Sequence, residues 1–278
     1  MGQIVYLNNR FIAAEDAHIS AHDAGFLFGA GVFETLLGSR GRLFYYARHF
    51  ARLKESCRAL GITLPFSPGA LQRIMLELLT RNALNGVEAR VKIVLTPGDI
   101  SRHVSHRDST VLITVEPYLR PNPRLPWTLL FEGVVQASAA ARFKTTSYLP
   151  YRLALHAARD KGYDDALLLD RAGMVSETSL ASLLLFRDGT LLLPESPDAL
   201  PGITRGVVAE IARRNGLTVE QRPVIPDTLF DGWALALCNA LLGPFPVSRI
   251  NATVLPAMDA ALIALLRTEW AEGAEQPM

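Results

Sequence analysis

The segment "ARFKTTSYLPYRLALHAARDKG" places Lys144 just ahead of a stretch of helical character, and the next lysine downstream is Lys161. An isolated lysine is ordinarily a solvated charge. Its other use is as a nucleophile. An amine held against apolar surface, or near another cation such as Arg142, loses proton affinity and can form a Schiff base with an aldehyde. A coenzyme that combines such an aldehyde with an electron-accepting pyridine ring makes three further demands. It needs an acid at the ring nitrogen, donors around a phosphate, and a group for the substrate carboxylate. Glu177, in "GMVSETSLASLLLF", follows a turn at a strand end among neutral residues and suits the first. "LPGITRGVVAEIA" suits the second: Gly202 lets backbone come close, and the amides of Ile203 and Thr204 open a helix whose free N–H groups attract an anion. Arg52, one step off an apolar helical stripe, can add a charged fork. Each residue also has an ordinary reading as a surface or helix-face charge. Together they answer the first two demands of such a coenzyme, pyridoxal phosphate.

Positioning these groups requires particular elements. "IVYLNNRFI" reads as a hairpin turning at Asn8-Asn9, and "GVFETLLGSRGRLFYY" as another turning near Ser39-Arg40-Gly41. Phe50, Leu53, Cys57 and Leu60 recur at helical spacing, with Gly61 as a stop. A second helix begins with Ser67 as cap and Pro68 in its first turn, and is expected to stop at Asn85-Gly86. "ARVKIVLTPG" and "STVLITVEPYL" read as strands. The proline-rich "RPNPRLP" reads as a linker over residues 120–126. It separates a smaller N-terminal α+β domain, 1–119, from a larger C-terminal one, 127–278. In the second half "WTLLFEGVVQ" reads as a strand and residues 150–161 as a helix. Two hairpins follow, turning at Ala172-Gly173 and Asp188-Gly189, then helix, strand, the buried strand "WALALCNA" and a closing helix. Hairpins with interspersed helices indicate α+β architecture rather than a doubly wound sheet.

With 49% hydrophobic residues, 278 residues can bury a sizeable core. A net charge of +1 disfavours nucleic acid or a membrane surface as partner. Two distant cysteines, Cys57 and Cys238, make neither a disulfide framework nor a metal site. The N-terminus lacks the pattern of a secretion signal, and no apolar run is long enough for a transmembrane helix, so a cytoplasmic protein is expected.

The motifs "HDAGFLFGAGVFETL", "HFARLKES", Lys144, "GMVSET", "LPGITR" and "ALCNALLGPFPV" occur in the order found in the fold type IV, or class IV, pyridoxal-phosphate enzymes. The resemblance covers roughly residues 4 to 250. That family contains branched-chain and D-amino-acid aminotransferases and aminodeoxychorismate lyase. It implies the two-domain D-amino-acid-aminotransferase-like fold, with Lys144 as the Schiff-base lysine and Glu177 as the ring-nitrogen partner. Arg52, Ile203 and Thr204 become phosphate ligands. Asn239, Ala240 and Leu241 approach the phosphate, and Tyr148 lines the pocket. Arg102 and Phe33 become substrate-binding residues, Arg102 for a carboxylate. Family members are usually at least dimers, so a homodimer is implied. Two departures stand out: Ser182 replaces an asparagine of many members, and "CNALL" replaces hydroxyl side chains common in the aminotransferases.

Both family activities begin by removing a proton next to the substrate amine. "CNALLGPFPV" resembles the "CNAL" segment typical of the lyase, and "TPGDISRH" fits it. Glu34 is an acid common in the aminotransferases, and "KTTSYLPYRLAL" departs from a pattern of some lyases. The reading is a 4-amino-4-deoxychorismate lyase releasing pyruvate and 4-aminobenzoate. The alternatives are a class IV aminotransferase acting on D- or branched-chain amino acids, and a relative that binds the cofactor without turnover.

Overall fold

The computed structural model describes residues 2–101 and 109–273. The chain divides into two compact units. One holds residues 2–119 with Phe143–Tyr148, and the other Arg120–Arg142 with Leu149–Gly273.

In the first unit, β1 (Ile4–Leu7) and β2 (Arg10–Ala13) form a hairpin. Asn8 and Asn9 supply the two positive φ angles, 44° and 70°, that a tight hairpin turn needs. A short helix α1 (Ala24–Phe28) follows, then β3 (Val32–Ser39), β4 (Arg42–Leu43), the helices α2 (Tyr46–Ala59) and α3 (Pro68–Arg81), and strands β5 (Ala89–Thr96) and β6 (Thr110–Pro117). The strands make an antiparallel sheet in the order β2-β1-β6-β5-β3-β4. Ser67 Oγ accepts the Ala70 amide and Pro68 opens α3, as the sequence predicts. That helix ends earlier than Asn85-Gly86, at Arg81, because the Asn82 side chain bonds back to the Leu78 carbonyl and closes the last turn. Phe50, Leu53 and Cys57 of α2 and Leu71, Met75, Leu78 and Leu79 of α3 join Val91, Ile93, Leu95 and Ile113 in one core. Strand alternation places Val32, Glu34 and Leu36 on the buried side of β3, while Phe33 and Thr35 point to the other face.

Phe143–Tyr148 belongs to this unit despite its place in the sequence, because its backbone pairs with the start of β3. The Phe33 amide donates to the Lys144 carbonyl at 2.8 Å and the Thr146 amide to the Gly31 carbonyl at 2.9 Å. Gly31 permits the approach: a Cβ there would lie 2.9 Å from both the Leu95 carbonyl oxygen and Thr146 Oγ1.

The second unit contains β7 (Trp127–Leu130), α4 (Leu149–Asp160), β8 (Asp165–Leu169), β9 (Val175–Thr178), β10 (Ser182–Arg187), β11 (Thr190–Pro194), α5 (Ile203–Arg214), β12 (Thr218–Arg222), β13 (Ala234–Asn239), β14 (Gly243–Ile250), β15 (Thr253–Val254) and α6 (Ala260–Gly273). Its mixed sheet runs β12-β11-β10-β13-β14-β7-β8-β9, with β15 on β14. The β11–β12, β14–β7 and β7–β8 pairs are parallel. Strand β14 is the element that periodicity hides, since Pro244 and Pro246 read against a central strand. Pairing to β7 begins only at Val247, so on that side the two prolines interrupt no ladder.

Candidate active site

Lys144 is half-buried. Its Nζ lies 4.5 Å from the centre of the Phe33 ring and 5.7 Å from that of Tyr148. The two rings meet edge to face at 5.5 Å. A second ammonium, Lys92 Nζ, lies 4.8 Å from the Phe33 ring. Lys92 sits on β5 opposite Thr35, which puts it on the Phe33 side of the sheet. Burial, then the neighbouring Arg90, lowers its proton affinity, against a weaker pull from Glu116. Two amines of one sign therefore share one aromatic ring, an arrangement suited to an anionic guest.

On the opposite side of β3, Glu34 is 2% exposed and cannot stay ionised there without partners. His49 and Arg52, three residues apart on α2, reach it from one helix face. Arg52 donates from Nε to Oε1 at 2.7 Å and from Nη2 to Oε2 at 2.8 Å, while His49 Nδ1 lies 2.7 Å from Oε2. Burial alone would raise the Glu34 carboxyl, but the guanidinium and the imidazole hold it down at about 2. Burial also lowers His49. Glu34 pulls it back up, Arg52 and Lys144 push it further down, and the balance lies below the usual histidine value. His49 is therefore neutral at pH 7. Because an ionised Glu34 can only accept, the hydrogen sits on His49 Nδ1. Arg52 is committed to this pair, so a phosphate contact would be made alongside it and not in its place.

In the other unit Glu177, on the wholly buried β9, accepts from the Tyr151 hydroxyl at 3.0 Å and from the Leu200 amide at 3.4 Å. Gly202 is the N-cap of α5 and offers no side-chain cap, so the first amides of the helix, those of Ile203 and Thr204 included, have no intrahelical acceptor. A Cβ on Gly202 would lie 2.5 Å from Ser182 Oγ, which keeps that approach bare. Arg205, in the first turn, buries Nη2 without a hydrogen-bond partner among the described residues. Burial lowers its proton affinity, opposed by Cys238, Glu177 and Glu195. Asn239 turns its side chain inward: Nδ2 donates to the Leu180 carbonyl at 3.1 Å, and Oδ1 accepts the Leu241 and Leu242 amides at 2.9 Å each. The Leu241 amide is thus occupied, and the Ala240 amide is the one in that loop with no acceptor among the described residues.

Lys144, Phe33, Tyr148 and Arg52 therefore lie in the first unit, and Glu177, Ile203, Thr204, Asn239, Ala240 and Leu241 in the second. Arg102 lies outside the described residues. Sequence reasoning passed over Lys92, His49, Tyr151 and Arg205. Lys92 had a legible signal, a lysine inside an otherwise apolar strand. Tyr151 had one too, three residues after Tyr148 on the face α4 buries.

The donor set fits pyridoxal phosphate. An uncapped helix start, a bare glycine and a guanidinium whose buried Nη2 has no partner among the described residues suit a phosphate dianion. Glu177, donor-bound on both oxygens, suits a pyridinium, and Lys144 against aromatic rings suits an aldehyde. No three-residue group of His, Cys, Asp or Glu arranged for a metal occurs among the described residues, and no helix there is long and apolar enough to cross a membrane.

Comparison with known proteins agrees with that chemistry. A Methanocaldococcus jannaschii protein provisionally named branched-chain-amino-acid aminotransferase is 28% identical over 258 residues, 90% of this chain and 89% of that protein. A D-alanine aminotransferase of Listeria monocytogenes is 25% identical over 253 residues, 89% and 87% of the two chains. Among solved structures, the branched-chain aminotransferase from the thermophilic archaeon Thermoproteus uzoniensis with norvaline superposes with a TM-score of 0.89 at 23% identity, covering 99% and 97%. A Legionella pneumophila protein carrying the provisional name 4-amino-4-deoxychorismate lyase gives 0.85 at 24% identity, covering 94% and 97%. The fold is that of the fold type IV enzymes. Residues 31–250 match the family described as amino-transferase class IV, and the chain belongs to that family of pyridoxal-phosphate enzymes.

Proposed function

We propose that this enzyme is a 4-amino-4-deoxychorismate lyase, with Lys144 as its catalytic amine. When bound, the cofactor supplies an aldehyde carbon for the amine and a ring that takes up the electron pair left by the departing proton. Lys144 Nζ takes that proton from the carbon bearing the substrate's amino group. Glu177, fixed by Tyr151 and the Leu200 amide, keeps the ring nitrogen protonated by its charge. The amides of Ile203, Thr204 and Ala240, with Arg205, hold the phosphate, and Arg52 contributes from its pair with Glu34. Tyr148 and Phe33 wall the amine, and Lys92 with Arg102 binds substrate carboxylate. Loss of pyruvate leaves an aromatic ring, which supplies much of the driving force.

The observation that carries the lyase reading is the loop after β13. The segment "CNALLGPFPV" places no hydroxyl side chain there, and Asn239 shapes the loop from within. The curated relatives favour a second reading, a class IV aminotransferase. The two separate in one experiment on the holoenzyme. Given 4-amino-4-deoxychorismate, a lyase forms pyruvate and 4-aminobenzoate in equal amounts. Given L- or D-amino acids with keto acids, an aminotransferase exchanges the amine. Exchange without 4-aminobenzoate overturns the lyase.

We take the assembly to be a homodimer in the cytoplasm. Phe26 and Phe28 of α1, 75% and 69% exposed, are the apolar surface such an assembly would cover. Sedimentation of full activity with a monomer contradicts it.

A further inference from the structure

Asp165 opens β8 fully enclosed by the C-terminal unit, and the chemistry above makes no use of it. A carboxyl with no exposed surface must be held by donors. Its Oδ1 accepts the Ala166 amide at 2.8 Å and the Ser179 hydroxyl, and its Oδ2 accepts the Leu180 amide at 3.3 Å. Burial raises its proton affinity, and these donors oppose that. Ser179 and Leu180 belong to the four-residue turn 178–181 directly after Glu177. The turn is closed by the Thr178 amide and hydroxyl on the Ala181 carbonyl, and the Ser179 amide bonds the Ala166 carbonyl. The Leu180 carbonyl then accepts Asn239 Nδ2, and Asn239 Oδ1 gathers the Leu241 and Leu242 amides. An unbroken hydrogen-bonded path thus runs from a buried carboxyl, past the strand end bearing Glu177, to the loop at 240–242.

We propose that Asp165 and Asn239 are positioning residues that act through the 178–181 turn to fix the 240–242 loop, so that the Ala240 amide stands ready for a phosphate monoester. The inference rests on the cofactor reading above. It changes the part expected of Asn239. Its amide group has one donor bond and two acceptor bonds inside the protein, so its part is to shape the loop of the phosphate site.

The test compares cofactor affinity with and without the phosphate. Pyridoxal phosphate and pyridoxal are titrated into the full-length apoprotein by tryptophan fluorescence, with thermal unfolding measured alongside. The wild type binds the phosphorylated form far more tightly. Asn239→Ala and Asp165→Asn are expected to cut that preference by about tenfold, the worth of roughly one charge-assisted hydrogen bond, with pyridoxal affinity unchanged. A general packing defect would weaken both ligands together and leave the ratio intact. Ser179→Ala, which removes one hydroxyl donor to Asp165, makes the same comparison if either variant fails to fold. A strong wild-type preference retained in every folded variant overturns the inference alone. A wild type that binds both forms equally overturns the cofactor reading and this inference with it.

Discussion

In the first unit Glu34 is enclosed by the partners it needs: a two-bond guanidinium from Arg52 and a neutral imidazole from His49, both from one face of α2. In the second unit the polar groups near Glu177 are not so completed. The first amides of α5 have no cap, Arg205 Nη2 has no partner among the described residues, and the Ala240 amide stands open. Buried charge is costly in both places, and the difference lies in what repays it. One cluster closes on itself within the first unit. The other has donors with no acceptor among the described residues, which is what the proposed phosphate site calls for. Unmade hydrogen bonds in a well-packed unit are a sharper pointer to a binding site than charged residues as such.

The comparison can be broken by mutation. Lys144→Ala, outside both clusters, has the largest effect: turnover falls by about a thousandfold or more while the unfolding temperature stays near that of the wild type, read by steady-state rates and calorimetry. Glu34→Gln removes the carboxylate charge that Arg52 pairs with in the core and is expected to cost on the order of 3 kcal/mol of stability, read by denaturant unfolding. Arg205→Met should do the reverse. It removes a buried charge with an unfilled donor, so the apoprotein keeps or gains stability, while pyridoxal phosphate affinity falls by about tenfold or more in equilibrium titration. Equal stability losses in Glu34→Gln and Arg205→Met would erase the distinction between the two clusters.

Acid makes a smaller test with a definite sign. His49 is held below its usual 6.5, so the unfolded chain protonates it first and stability begins to fall as the pH drops below about 6.5. Glu34, held at about 2 against an ordinary 4.5, contributes fully above 4.5 and loses that contribution as the pH falls toward 2. Unfolding free energy against pH should show both stages, and Glu34→Gln should make the lower one smaller.

Local grammar made much of this legible. The Asn8-Asn9 turn, the Ser67 cap and the stripe through Phe50, Leu53 and Cys57 are short-range effects that a single sequence displays. The residues that could react, Lys144 and Glu177, stood out by isolation among neutral neighbours. What stayed hidden depends on pairing across distance. Glu34 and Arg52 are 18 positions apart, and only strand alternation against a helix face makes them partners. Phe143–Tyr148 joins the first unit through backbone bonds to Gly31 and Phe33, more than a hundred positions away, which periodicity cannot signal. Strand β14 was masked by prolines that its partial pairing tolerates. The inward turn of the Asn239 side chain was hidden too, since the residue type alone fits either contact with a ligand or support of the loop.

The most direct measurement is reduction of the cofactor-loaded enzyme with borohydride, followed by proteolysis and mass spectrometry of the lysine-containing peptides. A phosphopyridoxyl adduct on Lys144, absent from Lys92 and Lys161, is the expected result. An adduct on another lysine, or none after saturation with pyridoxal phosphate, would contradict the account.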